Sequence, residues 1–113
     1  MSYDVYLKRG DRIVSVPHHN EGGTRRVGGS DEAQLNVTYN YSPHYRVLGE
    51  GGLRHLDNRR ASECYDDLLM AIKLLGVARD ADYWLATPGN AGYALAVLLG
   101  WALLNPDAIF EVH

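Results

Sequence analysis

The sequence has little of several features that mark particular classes of protein. It has one cysteine in 113 residues, so no disulfide can form within the chain and a reducing, cytoplasmic compartment is expected. Its 46% hydrophobic and 22% charged content argues against a disordered chain, a collagen-like repeat or a coiled coil. The net charge of -3 lacks the basic excess of a general nucleic-acid binder, so direct binding to nucleic acid is not expected.

Long apolar runs and the common catalytic motifs are also absent from the sequence. The most apolar run, 91–104, is shorter than the ~20 residues that span a bilayer, and the first residues do not form the apolar core of a signal peptide. We therefore expect no membrane association. The sequence contains no Walker, dinucleotide-binding, nucleophile-elbow, His-x-x-x-His or Cys-x-x-Cys pattern. These absences predict no cofactor and no metal, and they leave an enzymatic activity without specific support.

The charges that are present divide unevenly along the chain. Residues 1–60 hold nine Lys and Arg against seven Asp and Glu, whereas residues 61–113 hold two against seven. Two interpretations are open. The halves can attract each other within one domain, or one half can offer its charge to a partner.

Hydrophobic periodicity predicts a single α+β domain over 1–113. Alternation predicts a hairpin of strands 3–8 and 12–16, a third strand over 35–41, and a short last strand over 108–112. A long loop is expected over 18–31. A short helix should be capped by Ser42, begin at Pro43 and end at Gly49. A second should be capped by Ser62 and end at Gly76, and a third should run from Thr87-Pro88 to Leu104. This order favours a small antiparallel sheet packed on two main helices.

Polar residues alternate along the predicted third strand. Asn36, Thr38, Asn40 and Ser42 should share one face of this strand. Their amides and hydroxyls can line a ligand pocket, or they can form the solvated outer face of the sheet.

Two arginine-bearing segments are candidate anion or partner sites. Paired glycines bracket Arg25 and Arg26, and such a loop can bind an anion or can simply be a mobile hairpin-like loop. Arg54, Arg59 and Arg60 form the most basic window of the chain. That window can face an acidic partner, or it can pair with the acidic start of the following helix.

Aromatic residues precede the last predicted helix. Tyr83 and Trp84 can fix the entry of the chain into the helix, or they can form a binding edge. Asn90 lies in the first turn, where backbone donors can bind an anion. Cys64 is expected to be a buried structural residue, because the acidic helix start around it does not favour a thiolate.

Five segments of the chain together carry a resemblance to a known group of sequences. They are Asp4-Val5-Tyr6-Leu7, the paired glycines at 22–23 and 28–29, Leu35 to Ser42, Asp82-Tyr83-Trp84 and Thr87 to Ala91. With them the chain resembles a family of small, uncharacterised phage and mobile-element proteins. The resemblance implies no catalytic residue. It implies a setting in which short proteins inhibit a host defence system by binding it.

The sequence is compatible with three functional hypotheses. The first is a non-enzymatic phage or mobile-element protein that binds a host protein or nucleoprotein complex, with an anti-CRISPR or other anti-defence inhibitor as its specific form. The second is a module that binds or sequesters a nucleotide or other anion. The third is an enzyme of unrecognised type that uses His18, His19 or His44 as an acid–base group. A homodimer is an open expectation, because the apolar last helix can complete its burial in one.

Overall fold

The computed structural model of the chain describes residues 1–16, 20–21, 24–26 and 32–113. Within these ranges the chain forms strands β1 (Ser2–Arg9), β2 (Arg12–Ile13), β3 (Asn20–Glu21), β4 (Thr24–Arg26), β5 (Gln34–Thr38) and β6 (Ile109–Val112), and helices α1 (Tyr65–Leu75) and α2 (Pro88–Leu104). Three 3₁₀ segments, Tyr39–Leu48, Gly52–Leu56 and Ala61–Cys64, lie between β5 and α1. The α+β class predicted from the sequence is confirmed.

Strand β1 lies at the centre of an antiparallel sheet. Val5 of β1 pairs with Leu35 of β5 and also with Val112 of β6, so these two strands lie on opposite sides of β1. The second arm of the first hairpin lies on the β5 side, because the Val14 amide donates to the Leu7 carbonyl (3.0 Å) and the Leu7 amide donates to the Ala33 carbonyl (3.1 Å). Strands β4 and β3 extend the sheet beyond β5. The last strand therefore pairs beside the first strand of the chain, a point that the sequence left open.

The core follows the alternation that the sequence predicts for β1 and extends into helix α2. Tyr3, Val5 and Leu7 are buried, as are Leu35 and Val37 of the neighbouring strand. Most of α2 is buried as well, and no residue of this helix is charged. Burial of these apolar side chains supplies the main driving force for the fold.

The third strand is shorter than predicted, because the chain leaves the sheet at Thr38. Its buried hydroxyl accepts a hydrogen bond from the backbone N–H of Asn40 (3.2 Å) and caps the first 3₁₀ segment. Tyr41 and Tyr45 are then both buried at a helical spacing. The predictions that the strand reaches Tyr41 and that Ser42 caps the following helix were therefore wrong.

Two further boundaries differ from the prediction. The segment expected to be one long loop, 18–31, contributes β3 and β4 to the sheet. Ser62 lies within a 3₁₀ segment, and α1 begins three residues later at Tyr65. The predicted end of α1 at Gly76, which has a φ of 76°, and the predicted Thr87-Pro88 start of α2 are confirmed.

The two helices pack antiparallel and very closely. The Tyr65 hydroxyl at the start of α1 donates to the Ala102 carbonyl near the end of α2 (3.0 Å). At the other end of the pair, a Cβ placed on Gly92 would lie 1.8 Å from the Gly76 carbonyl oxygen. In the part of the chain that the structure describes, neither helix is long and apolar enough to cross a membrane.

Oppositely charged residues from the two halves of the chain form ion pairs. Lys8 pairs with Glu111 at 2.9 Å, and Arg9 pairs with Asp107 at 2.7 Å. Across the 60/61 boundary, Arg59 lies 2.9 Å from Asp67. Part of the charge difference between the halves is thus used within the molecule.

Candidate functional site

An exposed aromatic loop, residues 82–86, lies between the two helices in sequence. Tyr83, Trp84 and Leu85 keep 40%, 56% and 48% of their surface exposed. The two aromatic rings are tilted against each other with centroids 5.1 Å apart. Three consecutive large apolar side chains in water form an exposed patch of the kind that marks interaction sites.

Three carbonyl groups of the aromatic loop accept hydrogen bonds from side chains of the first 3₁₀ segment. The Tyr41 hydroxyl donates to the Tyr83 carbonyl (2.6 Å), and the side-chain Nδ2 of Asn40 donates to the Trp84 carbonyl (2.9 Å). His44 Nε2 lies 2.7 Å from the Ala86 carbonyl oxygen, which can only accept, so Nε2 is the donor. These bonds tie the loop to a segment about 42 residues away in sequence.

Asn90, in the first turn of α2, holds the loop from the inside. It is 3% exposed, and its Nδ2 donates to the carbonyls of Asp82 (3.3 Å) and Leu85 (3.0 Å). Its Oδ1 accepts from the Asp80 amide (2.9 Å). Every carbonyl from Asp82 to Ala86 therefore accepts from a side chain outside the loop, which fixes the backbone without covering the aromatic rings.

The carboxylates of Asp80, just before the loop, and of Asp82, on it, bind backbone amides of the loop. Asp80 Oδ1 accepts from the Asp82 amide (2.8 Å), and Asp82 Oδ1 accepts from the Trp84 amide (3.1 Å). The Leu85 amide donates to the Asp82 carbonyl (3.1 Å). Two negative charges therefore accompany the exposed rings. A loop that is already ordered loses less conformational entropy when a partner binds it.

The structure brings four of the predicted site residues together at this loop. Tyr83 and Trp84 present their side chains outward, whereas Asn40 and Asn90 support the loop backbone. The backbone N–H of Asn90 donates to Thr87 Oγ1 (3.1 Å), and its side-chain amide donates to two loop carbonyls, so Asn90 itself offers no free donor. Anion binding in this helix turn stays a prediction.

The four polar residues at 36, 38, 40 and 42 do not share one face of a strand. Asn36 remains on β5, where its Nδ2 donates to Ser2 Oγ (2.6 Å) and Asp4 Oδ1 (3.1 Å). Thr38 is buried as a cap, and Asn40 belongs to the 3₁₀ segment. The prediction that these four residues share one face of a strand was wrong, because the strand ends at Thr38. Ligand or partner binding by Asn36, Thr38 and Asn40 stays a prediction.

Of the predicted arginine residues, Arg54 contacts tyrosines of β1 and of the first 3₁₀ segment. Arg54 lies 5.0 Å from the centre of the Tyr3 ring and donates to the Tyr39 hydroxyl (3.2 Å). Arg60 is exposed at the start of the third 3₁₀ segment, next to Arg59. The structure describes the backbone of residues 24–26 and not their side chains, so anion binding by Arg25 and Arg26 stays a prediction.

Arg59 is engaged by the acidic start of α1. It donates to Asp67 (2.9 Å) and to the Glu63 carbonyl (2.9 Å), and His55 lies 3.3 Å from the same Asp67 carboxylate. The hydrogen bond from Arg59 is the main cause that lowers the pKa of Asp67 below its ordinary 3.8. This pairing between the basic window and the helix start is the internal alternative that the sequence analysis left open.

The cysteine and the described histidines form no catalytic arrangement with each other. Cys64 is buried, and burial raises the pKa of its thiol. His44 binds a loop carbonyl, and His55 and His113 bind carboxylates. Residues 17–19, with the candidates His18 and His19, lie outside the described part, within which no group of three His, Cys, Asp or Glu could hold a metal.

Sequence reasoning missed two residues that hold the loop, Tyr41 and His44. Both were placed in local elements by their spacing, and spacing along the chain contains no information about a contact more than forty residues away. The available signal was chemical: a tyrosine predicted to be buried needs a partner for its hydroxyl.

Comparisons with protein-family models, with curated proteins and with solved structures found no match for this chain.

Proposed function

We propose that this is a non-enzymatic phage or mobile-element protein that binds a host macromolecule through its aromatic loop. The single observation behind this proposal is that Tyr83, Trp84 and Leu85 are exposed on a backbone whose carbonyls are all bound by side chains. Tyrosine and tryptophan dominate the energetic centres of protein interfaces, and preorganisation lowers the cost of binding.

The chemistry of the loop defines the kind of partner. The rings need an apolar pocket, and the carboxylates of Asp80 and Asp82 beside them favour a basic rim around that pocket. Proteins that grip nucleic acid present such basic surfaces. A host protein or nucleoprotein complex therefore fits better than free nucleic acid, which the carboxylates would repel.

The resemblance to phage and mobile-element proteins supplies the setting of the proposal. Within that setting the specific form is an anti-CRISPR or other anti-defence inhibitor acting in the host cytoplasm. Inhibition by occupancy needs no catalytic group, and it is compatible with a site built from apolar side chains and backbone bonds.

The proposal is tested by capturing partners from lysates of candidate hosts with paired variants. Trp84→Ala should weaken capture of the partner by about thirtyfold or more, since a central aromatic anchor contributes about 2 kcal/mol or more to binding. Leu104→Ala is the matched control, because Leu104 is an exposed apolar residue at the opposite end of α2. Its capture should equal that of the wild type.

Two results would contradict the proposal. One is the absence of any partner above background in several hosts. The other is a partner whose binding is unchanged by Trp84→Ala and lost with the control. A nucleotide that stabilises the protein by about 2.7 kcal/mol at a hundredfold excess over its dissociation constant would favour the ligand-binding alternative instead.

A further inference from the structure

A second exposed apolar surface lies on helix α1, away from the aromatic loop in sequence. Leu69, Met70 and Leu74 keep 45%, 61% and 67% of their surface exposed. Asp66 and Lys73 are exposed on the same side of the helix, because seven residues make two turns. We call these five residues the α1 outer face.

We propose that the α1 outer face is the interface of a homodimer in which a second copy of α1 packs antiparallel against the first. The twofold axis would pass between Leu69 and Met70. Each of these residues would then contact the other in the second copy, as a twofold interface requires. This inference concerns a different surface from the proposed partner site and does not depend on it.

The charges of the α1 outer face favour a second copy as the occupant. Asp66 and Lys73 are equally far from the midpoint between Leu69 and Met70, on opposite sides of it. In the antiparallel arrangement Asp66 of each copy therefore faces Lys73 of the other, which gives two equivalent ion pairs around the apolar centre. A parallel arrangement would place like charges together and would be disfavoured.

The surroundings of this face agree with a helical partner. The N-terminal end of α1 lies next to the C-terminal end of α2, where Leu103 and Leu104 are also exposed. Antiparallel helices also place opposite ends of their dipoles side by side. A membrane-surface helix would instead show an excess of basic residues on its polar face, and α1 contains two aspartates and one lysine.

The oligomeric state of the full chain in solution tests the proposal, measured by sedimentation velocity over a range of concentrations. The wild type should sediment as a dimer that dissociates on dilution. Met70→Glu should be a monomer, because it buries a carboxylate at the centre of the interface. Leu85→Glu, which introduces the same carboxylate at an exposed apolar position of the aromatic loop, should remain dimeric. This result would separate the α1 outer face from the partner site.

A charge exchange tests the antiparallel register itself. Asp66→Lys and Lys73→Asp should each weaken dimerisation by about tenfold or more, since one substitution removes two ion pairs and creates two like-charge contacts. The double variant Asp66→Lys/Lys73→Asp should restore the wild-type dissociation constant. Circular dichroism of each variant checks that the fold is retained.

Three results would overturn the proposal. They are a wild type that stays monomeric at the highest concentration, a dimer that persists in Met70→Glu, and a double charge variant that is weaker than both single variants. In the last case the copies meet through another register or another surface.

Discussion

At the scale of single residues, Asn90 connects the fold to the candidate site. Among the described residues, it is the one whose side chain binds two carbonyls of the loop, those of Asp82 and Leu85. The sequence placed it correctly in the first turn of α2. Its role was not predictable, because the helix position indicates exposed backbone donors and does not reveal which side chain points inward.

Asn90→Ala should destabilise the protein by about 2 kcal/mol, because three hydrogen bonds of a buried amide are lost and their loop partners must find water. The midpoint of urea unfolding measures the change. Asn105→Ala is a suitable comparison, since that half-buried side chain donates to the Trp101 carbonyl (3.2 Å) and accepts only a long bond from Arg9 (3.4 Å). A loss equal to or smaller than that of the comparison would show that Asn90 does not hold the loop.

Cys64 should react with alkylating reagents only when the protein unfolds. Its side chain is buried and its pKa is raised by burial, so both access and thiolate formation are suppressed. Labelling kinetics in increasing urea should follow the unfolding transition. Ser62→Cys in a Cys64→Ala background places the thiol at an exposed position and should react at once. Rapid labelling of native Cys64 would refute this expectation.

At the scale of elements, the long and strongly periodic segments were predictable and the short ones were not. Alternation located β1, and capping by Thr87 with Pro88 located the start of α2. The pattern from Leu35 to Tyr41 alternates without interruption, yet Tyr41 and Tyr45 are buried at helical spacing. A short run satisfies both periods, and the Thr38 cap decided between them.

The close approach of α1 and α2 makes Gly92 intolerant of any side chain. Gly92→Ala would place a Cβ 1.8 Å from the Gly76 carbonyl oxygen, so the helices must separate, at a cost of about 1–3 kcal/mol. Gly100→Ala in the same helix meets nothing within 4 Å and should stabilise by up to about 1 kcal/mol through helix propensity. Thermal unfolding of both variants measures the contrast. Equal effects at the two positions would contradict the packing described.

At the scale of the whole molecule, the oppositely charged halves of the chain form ion pairs with each other. The acidic second half supplies Asp67, Asp107 and Glu111 to basic residues of the first half. The sequence offered this pairing as one of two interpretations. It could not show which carboxylates take part, since that depends on β6 pairing beside β1. Asp80 and Asp82 remain at the aromatic loop, where they bind backbone amides.

These pairs predict that stability falls in acid. Hydrogen bonds from Arg59, Arg9 and Lys8 lower the pKa values of the three carboxyl groups below their ordinary 3.8 and 4.5. As the pH falls, the unfolded chain takes up these protons first, so the stabilisation is present above about pH 5 and is lost progressively below it. Urea unfolding between neutral pH and about pH 3 measures the loss.

Arg59→Gln provides the control for this pH dependence. Without the guanidinium, the Asp67 pKa returns towards its ordinary value, and the acid-dependent loss of stability should become smaller. High salt should reduce the loss in the wild type as well, because these groups are partly exposed. If the stability of Arg59→Gln falls in acid as much as that of the wild type, the loss of stability arises from carboxyl groups other than Asp67.

The aromatic loop is held in place by hydrogen bonds before any partner binds. Amide hydrogen exchange of the free protein measures this directly at residues 80, 82, 84 and 85, whose amides all donate hydrogen bonds. We predict exchange at these amides that is slower than in an unstructured peptide of the same sequence, and that becomes fast in Asn90→Ala. Exchange in the wild type as fast as in the peptide would show that the loop is not held in the free protein.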